Sequence, residues 1–361
     1  MFESAKSFSG RLRPSGIVSA VTAAVLFGAS TPLSKLIVGR MDPVLLAGLL
    51  YLGSGSGLTL WWLAGRRLNR RMSREADLKL NDLPWLAGAI LTGGVAGPVL
   101  LMLGLKTTPA ASASLLLNLE GVFTATLAWF AFKENFDRGI LAGMAAITAG
   151  CAVLSWSGGE MSFISWGALA VIAACLAWGI DNNLTRRVSA GDPLQIAAAK
   201  GLVAGSVSLV AALLMGAELP EPEMILAASV VGLFGYGISL VLFVLSLRRL
   251  GTARTGAYFS VAPFVGAAFS IVFLKENVTV PFLIGASLMA IGVLLHLAEC
   301  HGHEHSHDAM EHEHNHLHDE HHEHDHEESV LPREAHSHPH EHCELLHSHP
   351  HYPDIHHRHG H

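Results

Sequence analysis

The sequence predicts an all-α membrane protein of ten transmembrane helices, arranged as two inverted five-helix repeats and followed by a disordered His-rich tail. Three observations carry that expectation. Apolar stretches of about 20 residues recur along the chain, the length needed to cross a hydrocarbon core of ~30 Å. Basic residues segregate to alternate connecting segments. Residues 105–150 match residues 247–292 at a constant offset of 142.

Composition separates two materials. The chain is 50% hydrophobic and only 15% charged, yet its charge is unevenly divided. From Glu299 to His361 there are 15 acidic and 2 basic residues, so the tail carries −13 with neutral histidines and the rest of the −7 chain carries +6. All 24 histidines lie at or after His296.

The expected spans follow in order. The first, 17–38, comes after a polar, basic segment (1–16). No A-x-A cleavage site follows it, so it reads as a retained helix and not a signal peptide. Ser30, Thr31 and Pro32 interrupt it, a Pro/polar break of the kind that frees backbone carbonyls. A packing kink is the alternative. Lys35 lies near its outer end, where a long side chain snorkels to the interface. Its repeat mate Arg186 reads the same way. The second span (44–64) holds Gly53-Ser54-Gly55-Ser56-Gly57, and the third (84–105) holds Gly93-Gly94-Val95-Ala96-Gly97. Both clusters permit close helix approach.

The fourth span (110–132) carries Glu120 at its centre, beside Asn118 and Gly121. An ionisable group at that depth costs at least ~2.5–3.5 kcal/mol on insertion scales, which makes it a candidate proton or cation carrier. Pairing with a neighbouring helix is the structural alternative. The fifth (139–156) and sixth (164–185) contain Cys151 and Cys175, read as buried small hydrophobes. The sixth also carries Asp181, Asn182 and Asn183, and the seventh (194–215) carries Lys200 at similar depth. An Asp181–Lys200 ion pair would lower the cost of burying both, either lining the inward mouth of a cavity or locking two helices. The eighth (224–247) and ninth (252–274) offer Tyr236 and Tyr258 as cavity-lining aromatics. The tenth (280–297) ends at the first histidine.

Orientation follows from charge. With the N-terminus cytoplasmic, inner segments hold sixteen Lys and Arg, including the cluster Arg66, Arg67, Arg70, Arg71, Arg74 and Lys79, whereas outer loops hold only Arg40, Lys106 and Lys275. That bias obeys the positive-inside rule. An even helix count then places both termini, and the tail, in the cytoplasm of a bacterial inner membrane.

The repeat is visible residue by residue. Lys133-Glu134-Asn135 falls on Lys275-Glu276-Asn277, Leu141 on Leu283, Gly143 on Gly285 and Gly150 on Gly292. Upstream, Phe27-Gly28 matches Trp178-Gly179 and Asp42-Pro43 matches Asp192-Pro193, with Ser30 on Asp181. Five helices per half is an odd number, so the second half is inverted, with a site near midplane at the repeat interface. The halves are 17–156 and 164–297, and 298–361 is tail.

On these residues the body resembles the drug/metabolite transporter superfamily, specifically bacterial proteins built of two EamA repeats. The resemblance covers about 17–297 and rests on the duplicated ten-helix layout, the aromatic-Gly of each first helix and the Lys-Glu closing each fourth. It implies proton-coupled or facilitated movement of small metabolites, often outward. Two positions depart from the pattern. A basic residue common in the second helix is present as Lys200 but is Leu50 in the first half. A proline common in the fourth helix is present as Pro263 but is Gly121 in the first.

In the tail, His301, His303, His305, His307, His312, His314, His316 and His318 alternate with other residues, and His321, His322, His324 and His326 continue the run. Imidazole nitrogens with interleaved carboxylates suit zinc, nickel or cobalt. Cys300 and Cys343 could join as thiolates. Low apolar content and high charge predict disorder without metal, with several interchangeable sites.

Three functions stay open at this point. One is an exporter of small metabolites or drugs with a metal-binding tail and no required cofactor. Another is a divalent transition-metal exporter fed by the tail, and a third is a membrane-anchored metal sensor or store. No nucleophile–base pair or phosphate-binding loop points to an enzyme. The partners expected are the lipid bilayer and a small-molecule or ionic substrate, without nucleic acid. A homodimer is compatible with the sequence.

Overall fold

The computed structural model describes residues 14–68, 82–132, 138–155, 165–188, 192–250, 255 and 258–297, with 302–307, 310–316, 336–342 and 345–350 in the tail. The body is all helix. α1 (Pro14–Val38) and α2 (Pro43–Leu68) open the first half. α3 runs from Leu83 to Thr107 and contains a π-helical stretch at Ile90–Ala96. α4 comprises Ala110–Leu116 and Leu119–Phe132, and α5 is Arg138–Ser155. The second half repeats this with α6 (Trp166–Val188) and α7 (Pro193–Leu214). α8 comprises Pro222–Gly232, a π-helical stretch Leu233–Ile238 and Ser239–Leu250. α9 is Ala262–Phe273 and α10 Val280–Leu297.

Local chemistry explains the starts. The two Asp-Pro pairs are helix N-termini: Asp42 Oδ1 accepts from Val44 N (2.8 Å) and Leu45 N (3.1 Å), and Asp192 Oδ1 accepts from Leu194 N (2.9 Å). Each proline then occupies the first helical turn, where its missing N–H costs nothing.

Seven helices are long and apolar enough to cross a membrane, and Gly139–Ser155, Ala262–Phe273 and Val280–Leu295 are shorter apolar helices. Large apolar side chains such as Leu60, Phe130, Leu226, Val272 and Leu294 face outward and are more than three-fifths exposed. A surface of that kind needs hydrocarbon as its solvent. The chain is a multi-pass membrane protein.

The core runs along the bundle axis through Leu45, Leu46, Leu50, Leu101, Met102, Leu115, Leu116 and Met289. α2 packs on α7, α5 on α10, α1 on α8 and α9, and α6 on α3 and α4. These contacts recur at repeat-equivalent positions. Gly150 abuts Gly285 while Gly292 abuts Gly143, and Gly55 abuts Leu202 while Gly205 abuts Leu52. A Cβ at Gly55, Gly150, Gly205, Gly285 or Gly292 would strike backbone or side-chain atoms of the facing helix, the small-residue packing that membrane helices use in place of a hydrophobic drive.

Two features add detail to the expectations. The fourth span is not continuous: a turn at Leu117-Asn118 divides it, and a similar turn at Ser260-Val261 immediately precedes α9 in the second half. In the tail the described segments pair as antiparallel ribbons, β1 (Gly302–His307) with β4 (Leu345–Pro350) and β2 (Met310–His316) with β3 (His336–His342). Strict H-x-H alternation has the two-residue period of a strand. The register sets His303 opposite His349, His305 opposite His347, His312 opposite His340, His314 opposite His338 and His316 opposite His336. Lys133-Glu134, His301, His318, His321, His322, His324 and His326 lie outside the described residues.

Candidate substrate site in the membrane interior

The site starts from a proline. In α3 the N–H of Gly97 bonds Thr92 O, the five-residue step of a π turn. Gly93 O thereby loses its α-helical donor, and its π-helical donor would be residue 98, a proline without an N–H. Two side chains supply the missing bonds: Tyr51 Oη from α2 and Trp178 Nε1 from α6 each donate to Gly93 O at 2.9 Å. An otherwise orphaned carbonyl thus ties three helices together.

The same glycine makes room for a carboxylate. Asp181 of α6 is buried with its carboxyl against Gly93, where a Cβ would overlap it. Lys200 Nζ of α7 donates to Asp181 Oδ1 (2.6 Å) and Oδ2 (2.8 Å), and to Thr185 Oγ1 at 3.2 Å. Thr185 Oγ1 donates in turn to Asp181 Oδ1 at 2.8 Å. Every polar atom of this group has a partner, which is what a buried ion pair requires.

Glu120 stands beside that pair across the α4–α6 contact. Asn182 Nδ2 donates to Glu120 Oε1 (2.9 Å) and Thr124 Oγ1 (3.1 Å), and Asn183 Nδ2 donates to Thr124 O (3.1 Å) and Gly179 O (2.8 Å). Helical spacing shows which way this group faces. Val171, Cys175 and Trp178 lie on one face of α6 and are buried; Asn182 continues that face by one more turn and is exposed. Its exposure is therefore to a cleft inside the bundle and not to lipid. Gly121, where a Cβ would meet nothing within 4 Å, borders open space next to Glu120.

Other expected residues are placed differently. Asn118 closes the break in α4, donating to Leu115 O at 2.8 Å and touching Met289 Sδ at 3.8 Å. Ser30 and Thr31 are buried on the opposite side, where Ser30 Oγ donates to Phe27 O (2.6 Å) and Ser30 packs on Gly235. Tyr258 is half-buried. Its neighbour Phe259 joins a chain of rings through Phe27 (5.5 Å), Tyr236 (6.0 Å from Phe27) and Tyr51 (5.5 Å from Tyr236). Sequence reasoning does not single out Tyr51, Trp178, Thr124 or Gly93 as site residues. Pro98, five residues after Gly93, is the signal that could have found them.

The far end of the bundle is sealed. Lys35 Nζ donates to the carbonyls of Leu105, Lys106 and Thr108 (2.9 Å) at the end of α3. Glu276, of the second Lys-Glu motif, accepts from Ala110 N (2.7 Å) and Ala111 N (2.8 Å) at the start of α4. Thr108, Ala110, Ala111 and Ala168 are all buried there. Among the described residues no group of three or more His, Cys, Asp or Glu side chains forms a metal site.

Comparison with known proteins agrees with this architecture. The model of the EamA-like transporter family matches residues 14–156 and again 165–298. An uncharacterized transporter of Methanothermobacter thermautotrophicus is 30% identical over 294 residues, 78% of this chain and 85% of its own. A protein of Streptantibioticus cattleyicolor named as a probable terminal-alkyne amino-acid exporter is 30% identical over 220 residues, 60% of this chain and 74% of its own. One of Salmonella typhimurium named as a probable amino-acid metabolite efflux pump is 28% identical over 208 residues, 52% of this chain and 68% of its own.

Proposed function

Because the chain belongs to the EamA-like transporter family, we propose that it is a secondary transporter that exports small, amine-bearing metabolites of the amino-acid kind from the cytoplasm. The observation that carries this reading is the cleft-facing Glu120–Asn182–Thr124 group beside the Asp181–Lys200 pair. A carboxylate with amide and hydroxyl neighbours suits an ammonium group, and a fixed ion pair nearby offers partners of both signs to a zwitterion. Two relatives named for amino-acid export support the substrate class.

In this reading all ten helices span, the five-helix halves are inverted, and both termini are cytoplasmic. The sealed Lys35–Glu276 end is then the outer one, and the cleft at Asn182 opens inward. Alternating access exchanges the two ends. Uptake of labelled amino acids into everted membrane vesicles tests the proposal. Accumulation that depends on the protein and falls by about tenfold or more in Glu120→Gln, at equal expression, is the expected result. Wild-type vesicles that take up none of them would exclude it.

The tail favours a second, subsidiary role. The paired strands set histidines opposite histidines with carboxylates interleaved in sequence, a ligand set suited to zinc, nickel or cobalt. An isolated two-stranded ribbon is marginal in water, so zinc, nickel or cobalt would act as its clasp. The tail is thus a cytosolic metal collector or sensor, not the transport path. Titration calorimetry of the full chain in detergent, with and without residues 300–361, tests this. Equal zinc uptake by both forms would remove the role.

A further inference from the structure

The two halves are equivalent in frame but not in chemistry. At repeat-equivalent positions, Glu120 corresponds to Ala262, Asp181 to Ser30, Asn182 to Thr31, Lys200 to Leu50 and Thr124 to Gly266. Every ionisable group of this set therefore falls in one half-site, built from α4, α6 and α7. The equivalent half-site, built from α9, α1 and α2, has none at these positions.

What the second half-site has instead is aromatic surface. Phe27, Tyr236 and Phe259 form a run of rings with centroids 5.5–6.0 Å apart, each half-buried, with Phe243 4.7 Å beyond Phe259. The two half-sites are joined directly. Trp178 and Tyr51 share Gly93 O beneath the Asp181–Lys200 pair, and Tyr51 lies 5.5 Å from Tyr236. A continuous wall thus leads from the carboxylate of Glu120 to the apolar rings.

We propose that the substrate lies across the repeat interface in one fixed direction, its ammonium group at Glu120 and Asn182 and its apolar moiety against Phe27, Tyr236 and Phe259. This rests on the export reading and goes further, because it assigns the side-chain specificity to residues the charged cluster does not include. A molecule with a second charge at its far end would give up the hydration of that charge for rings without a counter-charge, and the cation–π contact an ammonium gains there does not make up the loss. Amines with one apolar end, such as phenylalanine, are preferred over lysine.

The test is a transport matrix in everted vesicles of the full chain. The probes are labelled L-phenylalanine, L-alanine, L-lysine and 3-phenylpropionate, the last lacking the amine. In the wild type, phenylalanine competes best. Phe259→Ala raises the half-saturation concentration of phenylalanine by about tenfold or more and leaves that of alanine nearly unchanged, the scale of a lost apolar contact in a binding pocket. Glu120→Gln weakens phenylalanine and alanine by a similar factor without affecting competition by 3-phenylpropionate. Phe259→Leu, which keeps an apolar side chain, serves as the variant if the alanine form does not accumulate in the membrane, and its loss is smaller but equally selective. Equal weakening of phenylalanine and alanine by Phe259 variants overturns the proposal while leaving amine export standing. Wild-type vesicles that move no amine overturn both.

Discussion

Asp181 shows how a single buried charge constrains its neighbours. It needs Lys200 as counter-ion, Thr185 as donor and the absence of a side chain at Gly93. Lys200→Met should lower thermal stability in detergent by about 3–5 kcal/mol, because it strands a buried carboxylate. Adding Asp181→Asn should recover a large part of that loss, and two additive losses would contradict the account. Gly93→Ala should prevent accumulation of folded protein, since its Cβ would overlap the carboxylate. Gly121→Ala should fold and accumulate normally, since its Cβ projects into open space; equal accumulation of the two alanine variants would disprove the steric argument. The ion-pair partners were legible in the sequence, because opposite charges in adjacent apolar segments at similar depth have few other solutions. The placement of Asn118 was not, because an amide beside Glu120 in sequence can turn to a broken helix instead, and nothing in the local pattern marks the break.

At the scale of the element, the informative feature is the π turn of α3. A π stretch also occurs at the equivalent place in α8, with leucine where α3 has Pro98; what Pro98 does is deny Gly93 O a backbone donor, which leaves that carbonyl to Tyr51 and Trp178. Either donor alone keeps the carbonyl satisfied, so Tyr51→Phe and Trp178→Phe should each cost about 1 kcal/mol. The double variant leaves a buried acceptor unpaired and should cost more than the sum of the singles. In a Pro98→Ala background, where residue 98 regains an N–H within reach of that carbonyl, the excess should vanish. Thermal unfolding of the variants in detergent measures this coupling; an excess that persists in that background would mean that the proline is not its cause. Hydropathy located α3 well but carried no sign of the π turn, since a one-residue change of backbone register leaves the apolar content of a span unaltered. The N-termini of α2 and α7 were marked by their Asp-Pro pairs, whose capping chemistry is local.

For the whole molecule, the decisive pattern is that chemistry is asymmetric on a duplicated frame. Offsets of 142 in the last helices of each half and 150 in the second helices exposed the frame, and the reciprocal glycine contacts of α5 with α10 and of α2 with α7 follow them. Which end is closed could not be read from sequence, because Lys275-Glu276 repeats Lys133-Glu134 and only tertiary contact shows what Glu276 holds. In the structure Glu276 holds the first turn of α4 through two charge-assisted hydrogen bonds, each worth about 1.5–3 kcal/mol. Removing both should shift the closed–open equilibrium at that end by about tenfold or more, since ~1.4 kcal/mol is tenfold. Thr108 reports on this, being buried beneath the seal. In intact cells, a Thr108→Cys protein should react slowly with a membrane-impermeant maleimide, and about tenfold faster or more once Glu276→Ala is added. Cys151 and Cys175 are buried, and Cys300 and Cys343 are replaced by serine in both proteins so that the tail adds no labelling. Equal rates in the two proteins would show that Glu276 does not hold the seal. Reaction in neither intact form, with labelling in everted vesicles, would place that end in the cytoplasm and reverse the orientation proposed from charge.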